Sequence, residues 1–386
     1  MKYFVKKWIK KNLSILKENK FRIIFPDKDE FLIGQGADEV IIDFLSWKTF
    51  MLLYWNGTIG FAEGYFKGYW KTNNLLKLLL YLAQNFNEKT SLTRGSKISN
   101  FYNLIRHRGR ENSLEGSKSN ILSHYDLGNN FYELWLDSSM TYSSALFENE
   151  CSLKEAQENK YQSMLDFLSL EEGSSILEIG CGWGGFMEFA ARKGYKVTGI
   201  TISDSQFEFV KERIKNLPNN PEVILKDYRL LEGEYDGIVS IEMFEAVGSK
   251  YWNTYFNQIN KLLRSNGKAV VQTITINDNY LEDYQKNPDF IQTYIFPGGE
   301  LASPSVFIEK AKKSSLTLRD STEFSESYGK TLQIWHDQFN EAWVEISKLG
   351  FKEDFKKLWE FYFAYCRAGF LTDSLDVIQF SLVKDA

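Results

Sequence analysis

The chain has 386 residues, of which 43% are hydrophobic and 16% aromatic, so it can bury one large core and a smaller one. Its net charge of −5 argues against nucleic acid as a partner, and its three cysteines and three histidines show no metal-ligand spacing. No apolar run is long enough to span a bilayer and no secretory signal is recognisable, so we expect a cytoplasmic protein.

The first twenty residues are basic and amphipathic. They contain seven lysines and one acid, Glu18, with aromatic and aliphatic side chains between the lysines. This pattern predicts a helix that lies on an anionic membrane surface, and the alternative is a solvated helix with one core-facing stripe. The high aromatic content also has two explanations, an acyl tunnel or lipid-facing surface and an ordinary large core.

Residues 1–105 are predicted to form an amino-terminal domain that contacts lipid or a second subunit. Strands are expected at 21–25 and 39–45, short strands and turns in the glycine-punctuated stretch 50–70, and a helix at 72–86. Residues 106–122 are polar, contain glycine and serine and lack periodicity, which predicts a linker.

From residue 123 to residue 386 the predicted strands and helices alternate, which indicates a doubly wound, mostly parallel α/β sheet. In such a sheet, ligands bind at the carboxyl ends of the strands. The expected strands are 175–179, 196–201, 222–226, 236–241, 268–276 and 376–382. The expected helices are 153–169, 184–193, 204–216, 251–263, 304–313, 334–348 and 351–368.

The run ILEIGCGWGGF at residues 176–186 predicts a strand, a glycine-rich turn and a helix, with Glu178 at the strand tip. Gly180, Gly182 and Gly185 also match the dinucleotide fingerprint. On this motif alone, an NAD or FAD site, an S-adenosylmethionine (SAM) site and a turn without a ligand all stay open. The next strand leads to Thr201 and Gln206 instead of the acidic residue that binds an NAD ribose, which weakens the dinucleotide interpretation.

Seven motifs in order along residues 121–386 resemble the cyclopropane-fatty-acyl-phospholipid synthase family, which includes the mycolic acid cyclopropane synthases. They are His124–Asn129, Met140–Ser144, Glu178–Gly185, Thr201–Gln206, Lys226–Arg229, Phe244–Gly248 and Tyr294–Gly299. Residues 1–100 resemble, more loosely, the extra amino-terminal domain of the longer bacterial members.

The resemblance implies a Rossmann-like SAM-dependent methyltransferase fold for residues 123–386. It implies transfer of a methyl or methylene group to the cis double bond of an unsaturated acyl chain in a membrane phospholipid, which gives a cyclopropane fatty acid. Such an enzyme contacts the inner face of the membrane peripherally. The resemblance leaves open whether the enzyme forms a homodimer. The implied SAM contacts are Tyr142, Ser143, Glu178, Gly180, Gly182, Gly184, Thr201, Gln206, Asp227 and Tyr228.

The reaction makes three demands, because an alkene is a weak nucleophile and its methylation leaves a carbocation. The sulfonium methyl must be aligned with the double bond, water must be excluded, and a base must remove a proton. Aromatic faces can stabilise the cation. The family uses a bound bicarbonate ion as the base, held by a Cys, a Glu, a His, an Ile and a Tyr. The matching positions here are Ser144, Glu245, Gln272, Ile274 and Tyr328.

An additional carboxylate, Glu242, lies three residues before Glu245, where many family members have glycine. If this segment is helical, both side chains share one face, and their repulsion raises one pKa and creates a candidate base. We therefore hypothesise that Glu242 replaces or repositions the bicarbonate, in a divergent branch that installs a methylene or methyl branch instead of a ring. The alternative is that Glu242 is a solvated or capping residue.

Two other classes of function stay open on the sequence. One is a SAM enzyme that acts on a soluble substrate, and the other is a non-catalytic SAM-binding or lipid-binding protein with an altered bicarbonate cradle. The stripe Trp335, Phe339, Trp343 and Ile346 has helical spacing and predicts core packing in preference to an acyl tunnel.

Overall fold

A computed structural model describes residues 2–13, 20–36, 38–85, 112 and 127–385. The predicted linker lies outside these residues except for Asn112, and so do the first three residues of the motif His124–Asn129. Within the described ranges, no helix is both long and apolar enough to cross a membrane.

The described residues contain two β-sheets with flanking helices. The strands are β1 (Lys20–Ile24), β2 (Glu30–Ile33), β3 (Glu39–Phe44), β4 (Trp70–Thr72), β5 (Ser175–Ile179), β6 (Lys196–Thr201), β7 (Glu222–Leu225), β8 (Tyr235–Ile241), β9 (Leu263–Ile276), β10 (Leu316–Glu323) and β11 (Leu375–Lys384). The α-helices are α1 (Lys2–Leu13), α2 (Lys48–Phe66), α3 (Leu75–Asn85), α4 (Asn129–Glu133), α5 (Leu153–Leu168), α6 (Gly185–Arg192), α7 (Asp204–Ile214), α8 (Trp252–Leu262), α9 (Leu281–Lys286), α10 (Pro304–Lys313), α11 (Ser325–Glu341), α12 (Trp343–Lys348) and α13 (Glu353–Leu371).

The chain forms two compact units. Unit 1 comprises Met1–Gly109, Glu282–Ile295 and Trp343–Asp373, and unit 2 comprises the remaining segments. The sequence predicted two continuous domains, whereas two later segments return to unit 1. Contacts such as the pairing of the Tyr65 ring of α2 with the Phe361 ring of α13, at 5.8 Å between centroids, hold them there. The assignment of the amino-terminal domain to lipid or subunit contact stays a prediction.

Unit 1 contains a four-stranded sheet in the order β2-β1-β3-β4, in which only β1 and β3 pair in parallel. The strands predicted at 21–25 and 39–45 correspond to β1 and β3, and the helix predicted at 72–86 corresponds to α3. Alternate residues of β1 and β3 are buried, as period-2 patterning requires of a sheet with one covered face.

The prediction of short strands and turns in residues 50–70 is wrong, because most of this stretch belongs to helix α2. Its buried residues Phe50, Leu53 and Gly57 follow helical spacing, and Gly57 adopts φ 56° at a kink. A Cβ on Gly64 would lie 2.8 Å from Cδ1 of Trp70, so this glycine serves close packing and not a turn. The glycines in residues 50–70, which by composition indicate turns, here allow close packing within and against helix α2.

Unit 2 contains a seven-stranded sheet in the order β10-β11-β9-β8-β5-β6-β7. Strands β5 to β9 run parallel, and β10 and β11 are antiparallel additions at one side. The predicted doubly wound, mostly parallel sheet is confirmed, and β5 and β6 have the predicted bounds of 175–179 and 196–201. The carboxyl ends of β5, β6, β7, β8 and β9 consequently meet along one edge.

Two differences from prediction concern the carboxyl-terminal part. Strand β10 was not predicted, because its residues are mostly polar and exposed at a sheet edge. The helix predicted at 334–348 is interrupted at Ala342, where α11 ends and α12 follows. Trp335 and Phe339 are buried in unit 2, as core packing predicts, whereas Trp343 begins the next helix in unit 1.

Candidate active site

The glycine-rich loop between β5 and α6 uses left-handed backbone at Gly180, Gly182 and Gly184, whose φ angles are 81°, 52° and 80°. The first and second glycines serve different purposes. A Cβ on Gly180 would lie 2.7 Å from Cγ of Met243, whereas a Cβ on Gly182 would meet no atom within 4 Å. Gly180 therefore serves packing, and Gly182 faces open space that a ligand can approach.

Glu178, one residue before the end of β5, has a buried side chain and a carboxylate oxygen, Oε2, without a hydrogen-bond partner. Burial raises the pKa of Glu178 well above its usual range, and the charges of Lys160 and Arg213 oppose that rise. A buried acceptor without a donor is rare in a folded protein and fits a ligand that brings an amine or hydroxyl. The unpartnered Glu178 oxygen and the open space at Gly182 are compatible with the predicted contacts to the amino-acid part of SAM, which stay predictions.

The next two parallel strands bring the other predicted SAM contacts to the same edge of the sheet. Thr201 donates a 2.8 Å hydrogen bond from Oγ1 to Oε1 of Gln206, and both side chains are buried. Asp227 accepts a 2.6 Å hydrogen bond from Arg229, and Tyr228 is half-buried beside it. The roles of these residues in binding adenosine stay predictions.

The segment of Tyr142 and Ser143 is anchored from helix α5. Gln157 donates a 2.9 Å hydrogen bond from Nε2 to the Ser143 carbonyl, and Lys160 donates one of 2.7 Å from Nζ to Ser143 Oγ. Lys160 is fully buried, and it is a functional candidate that no sequence motif indicated. Its position in α5 carries no motif signal, because a lysine in an amphipathic helix is usually solvated.

Three of the residues matched to the bicarbonate cradle donate to Glu242. Its Oε1 accepts hydrogen bonds from Ser144 N–H at 2.8 Å and from Gln272 Nε2 at 2.9 Å. Its Oε2 accepts one from the Tyr328 hydroxyl at 2.6 Å. Both carboxylate oxygens of the half-buried Glu242 accept protein donors, which argues against the alternative of a solvated or capping residue.

The backbone at Glu242 is also unusual. Its φ of 49° lies in the left-handed region that favours glycine, and its N–H donates a 2.8 Å hydrogen bond to the carbonyl of Gln272. The segment is not the continuous helix on which the shared-face argument depended, since only Phe244–Ala246 forms a short 3-10 turn. A strained backbone that aims a carboxylate inward is typical of functional sites.

Glu245 lies beside this group but uses other donors. Its Oε1 accepts the Ile274 N–H at 2.6 Å and the Thr273 hydroxyl at 3.0 Å, while its Oε2 is buried without a partner. Burial and, next, the charge of Glu242 raise the pKa of Glu245 to about 8. Burial also raises the pKa of Glu242, but its hydrogen bond from Tyr328 and the charge of Lys160 oppose this.

We assign the shared charge to Glu242, because three donors favour its ionised form and only two reach Glu245. Glu245 is then the neutral partner. The cradle does not fit a bicarbonate ion, since the donors from Ser144, Gln272 and Tyr328 already converge on a protein carboxylate. The Glu242 carboxylate can itself accept a proton, and it lies where the resemblance implies a bound base.

Aromatic rings extend from this carboxylate pair. The Tyr328 ring meets Trp335 edge to face at 6.2 Å between centroids, and Trp335 lies 5.2 Å from Tyr142 and 5.9 Å from Trp135. Ring faces carry negative potential and attract cations. The arrangement suits a reaction in which positive charge develops on an apolar chain near Glu242.

Comparison with known proteins identifies the family. The model of the mycolic acid cyclopropane synthetase family matches residues 112–380, well over half of the chain. The chain belongs to this family. A tuberculostearic acid methyltransferase of Mycobacterium tuberculosis is 34% identical over 86% of this chain and 80% of its own length. The cyclopropane-fatty-acyl-phospholipid synthase of Escherichia coli is 32% identical over 84% of this chain and 82% of its own length.

Solved structures agree with this assignment. The mycolic acid cyclopropane synthase CmaA1, complexed with SAH and CTAB, superposes with a TM-score of 0.65 at 30% identity. The superposition covers 69% of this chain and 98% of the synthase. The protein is thus a SAM-dependent methyltransferase of the cyclopropane synthase type, and the predicted family and fold class are confirmed.

Proposed function

We propose that this enzyme transfers the methyl group of SAM to the cis double bond of an unsaturated acyl chain in a membrane phospholipid, and that Glu242 removes the proton. The observation that carries the proposal is the convergence of Ser144, Gln272 and Tyr328 on the Glu242 carboxylate. Three donors fix the direction of that carboxylate and favour its ionised, basic form.

Each residue of the proposed site has a separate role in the reaction. SAM supplies an electrophilic methyl group. Glu178 offers its unpaired oxygen to the amine of the donor, and Gly182 allows the backbone to approach it. The Tyr142 and Tyr328 rings, which pack on the buried Trp335 ring, exclude water and stabilise the carbocation that methylation leaves on the chain. Glu242 accepts the proton, and neutral Glu245 adds no second charge beside it.

The product follows from which carbon loses its proton and when. Direct loss from the new methyl group closes a cyclopropane ring, and this is the leading product. A branch is the second candidate. A methylene branch forms when a hydride shifts to the cationic carbon before the methyl carbon loses its proton, and a methyl branch needs in addition a two-electron reductant such as a reduced nicotinamide dinucleotide from a separate enzyme. Two observations favour a branch. Glu242, Ser144 and Gln272 depart from the bicarbonate cradle, and the relative that is 34% identical is named a tuberculostearic acid methyltransferase.

The test is incubation of the purified protein with SAM and vesicles that carry cis-monounsaturated chains, followed by mass spectrometry of the released fatty acids. The proposal expects a mass gain of one methylene group, and NMR of the product then separates a ring from a methylene branch. A methyl branch would add two more hydrogens and would form only when a reductant is supplied. Turnover of SAM with soluble acceptors alone would support the soluble-substrate alternative. SAM binding without any product would support a non-catalytic protein.

We further propose that unit 1 contacts the membrane peripherally from its cytoplasmic face. Helix α1 carries five lysines and no acidic residue, and its Tyr3 and Phe4 are 71% and 72% exposed. Met51, Tyr54 and Trp55 form a second exposed apolar group on one face of α2. Lysines next to exposed aromatic side chains match an anionic bilayer surface.

The beginning of α1 lies near the beginning of α2. Lys2 Nζ lies 5.5 Å from the ring centroid of Trp47, the residue that precedes α2. We define Tyr3, Phe4, Met51, Tyr54 and Trp55 as the aromatic patch. Five of the twelve exposed large hydrophobic residues in the described ranges belong to this patch, which supports a contact through α1 and α2.

Co-sedimentation with vesicles tests the aromatic patch. The double variant Tyr54→Ser/Trp55→Ser should lose binding to vesicles that contain phosphatidylglycerol and lose activity on them, yet keep activity on lipid dispersed in detergent. The matched control Leu225→Ser/Leu230→Ser alters two exposed apolar residues of unit 2 and should bind as the wild type does. Unchanged sedimentation of the patch variant would contradict the contact, and a change from dimer to monomer in light scattering would assign the patch to a second subunit.

A further inference from the structure

Lys160 is a buried charge that the mechanism above does not use. Its side chain is among the largest fully buried ones of the described residues, with no exposed surface. A lysine loses strong hydration when it is buried and is rarely retained without compensation. Within the described part of the chain, no carboxylate lies within ion-pair distance, 4.0 Å, of its Nζ.

The compensation comes from one short contact and from charges farther away. Lys160 Nζ donates to Ser143 Oγ at 2.7 Å and lies 4.7 Å from the ring centroid of Tyr161. Three carboxylates favour its charged form, those of Glu242, Asp137 and Glu178. They come from three elements, the segment after β8, the segment after α4, and strand β5.

The contact with Ser143 orients a hydroxyl. An ammonium group has donors only, so Ser143 Oγ must act as the acceptor of Lys160. The Ser143 proton is then available to another acceptor. Because the Ser143 carbonyl also accepts from Gln157, one turn earlier in α5, the helix holds this residue at two points.

The same segment connects Lys160 to the base. The residue after Ser143 donates its N–H to Glu242, as described above. A second connection runs through Gln379, whose Nε2 donates to the Lys160 carbonyl at 3.3 Å and to Gln272 Oε1 at 3.1 Å. Gln272 in turn donates to Glu242. Lys160 therefore contacts the segment predicted to cover SAM, and two hydrogen-bonded connections link it to the carboxylate proposed as base.

We propose that Lys160 is the positioning residue of this site, which aims the Ser143 hydroxyl at the methyl donor and keeps Glu242 ionised by its positive charge. This inference rests on the proposed function. It adds that the binding of SAM and the ionisation of Glu242 both depend on the buried ammonium group of Lys160. Lys160 touches neither substrate, and its two effects pass through Ser143 and through its electric field.

The charges of Glu242, Asp137 and Glu178 act on Lys160, and other groups act on these carboxylates. Glu242 faces Tyr328 from α11, Gln272 from β9 and the Ser144 N–H, and its charge acts on Glu245. Glu178 faces Arg213 as well as Lys160. Removal of the Lys160 charge leaves Glu242 with its hydrogen-bond donors but without the positive charge of Lys160, which opposes the effect of burial, so the pKa of Glu242 should rise. Burial lowers the pKa of Lys160 to about 7, so its charge acts mainly at neutral pH and below.

Two variants separate the field from the hydrogen bond. Lys160→Met keeps the volume and removes the charge and the donor, while Ser143→Ala removes only the hydroxyl. In Lys160→Met the acid limb of the plot of kcat against pH should shift to higher pH by about one unit. At alkaline pH the plot should coincide with that of the wild type. In Ser143→Ala that limb should stay, and the KM for SAM should rise about tenfold.

Thermal unfolding checks that both variants fold, and Lys160→Met is expected to fold, because replacing a buried charge by an apolar side chain of similar volume is often tolerated. An acid limb that does not move in folded Lys160→Met overturns the role of the charge, and SAM affinity unchanged in both variants overturns the role of Ser143. Binding of S-adenosylhomocysteine is measured separately by calorimetry. Absence of any lipid product in the wild type would refute the proposed function, while weaker nucleoside binding by both variants would still support the positioning of Ser143.

Discussion

Substitution of Glu242 by glycine is the perturbation that separates a protein base from a bound one. Glycine is tolerated at this position, because the backbone φ is 49°, and it opens the space that the carboxylate fills. The change leaves the donors of Ser144, Gln272 and Tyr328 without their acceptor. A small anion that enters the space would meet these three donors.

The expected magnitude follows from the chemistry that is removed. Loss of a positioned general base costs about 10²–10⁴-fold in rate, or about 3–5 kcal/mol of transition-state free energy. Each unpaired buried donor adds about 1–3 kcal/mol to the cost of the empty site. Added bicarbonate should therefore bind in Glu242→Gly and restore a substantial part of kcat, and it should not change the wild-type rate.

The assay measures methyl transfer from SAM to lipid with and without added bicarbonate, in buffers freed of dissolved carbon dioxide. Asn266→Gly is the matched control, since it also replaces a residue with positive φ, 60°, at an exposed position away from the site. Glu242→Gln tests the base without opening space, so it should lose activity and gain nothing from bicarbonate. Full activity of Glu242→Gly without bicarbonate would refute the assignment of the base.

Three further predictions concern neighbouring residues. Tyr328→Phe removes the 2.6 Å donor to Glu242, so kcat should fall about tenfold and its acid limb should move to higher pH; an unmoved limb would separate Tyr328 from the base. Glu245, with a pKa raised from 4.5 to about 8, contributes stability that is fully present below pH 4.5 and is lost as pH rises through about 8, so denaturant titrations of Glu245→Gln should lack this decline. Gly182→Ala should weaken SAM binding measured by calorimetry more than it lowers the melting temperature, whereas Gly180→Ala should do the reverse because its Cβ meets Met243; equal effects would contradict the division of roles.

Much of the fold could be predicted from the sequence, and individual strands and helices show why. β5 (SILEI) and β6 (KVTGIT) are short segments rich in aliphatic and β-branched residues between turn residues, so their bounds follow from composition. The stretch of residues 50–70 misled because its glycines pack against Leu52 and Trp70 inside or beside a helix, a tertiary reason that composition does not carry. The returning segments of unit 1 are likewise set by packing between residues that are far apart in sequence.

The site was predictable only in part. The glycine loop and Glu178 follow from a local pattern, and the cradle positions followed from the resemblance. Glu242 accepts hydrogen bonds from Ser144, Gln272 and Tyr328, which lie 30 to 98 positions from it in the sequence. No local sequence pattern indicates contacts over such separations. Lys160 was missed altogether, because only the structure shows that this face of α5 is buried.

The most direct test of the central claim is the rate of the wild-type enzyme in buffer depleted of bicarbonate. If the Glu242 carboxylate is the base, SAM-dependent modification of cis-monounsaturated phospholipid proceeds at its full rate there, and added bicarbonate leaves that rate unchanged. A rate that falls on depletion and recovers on addition of bicarbonate would contradict the account.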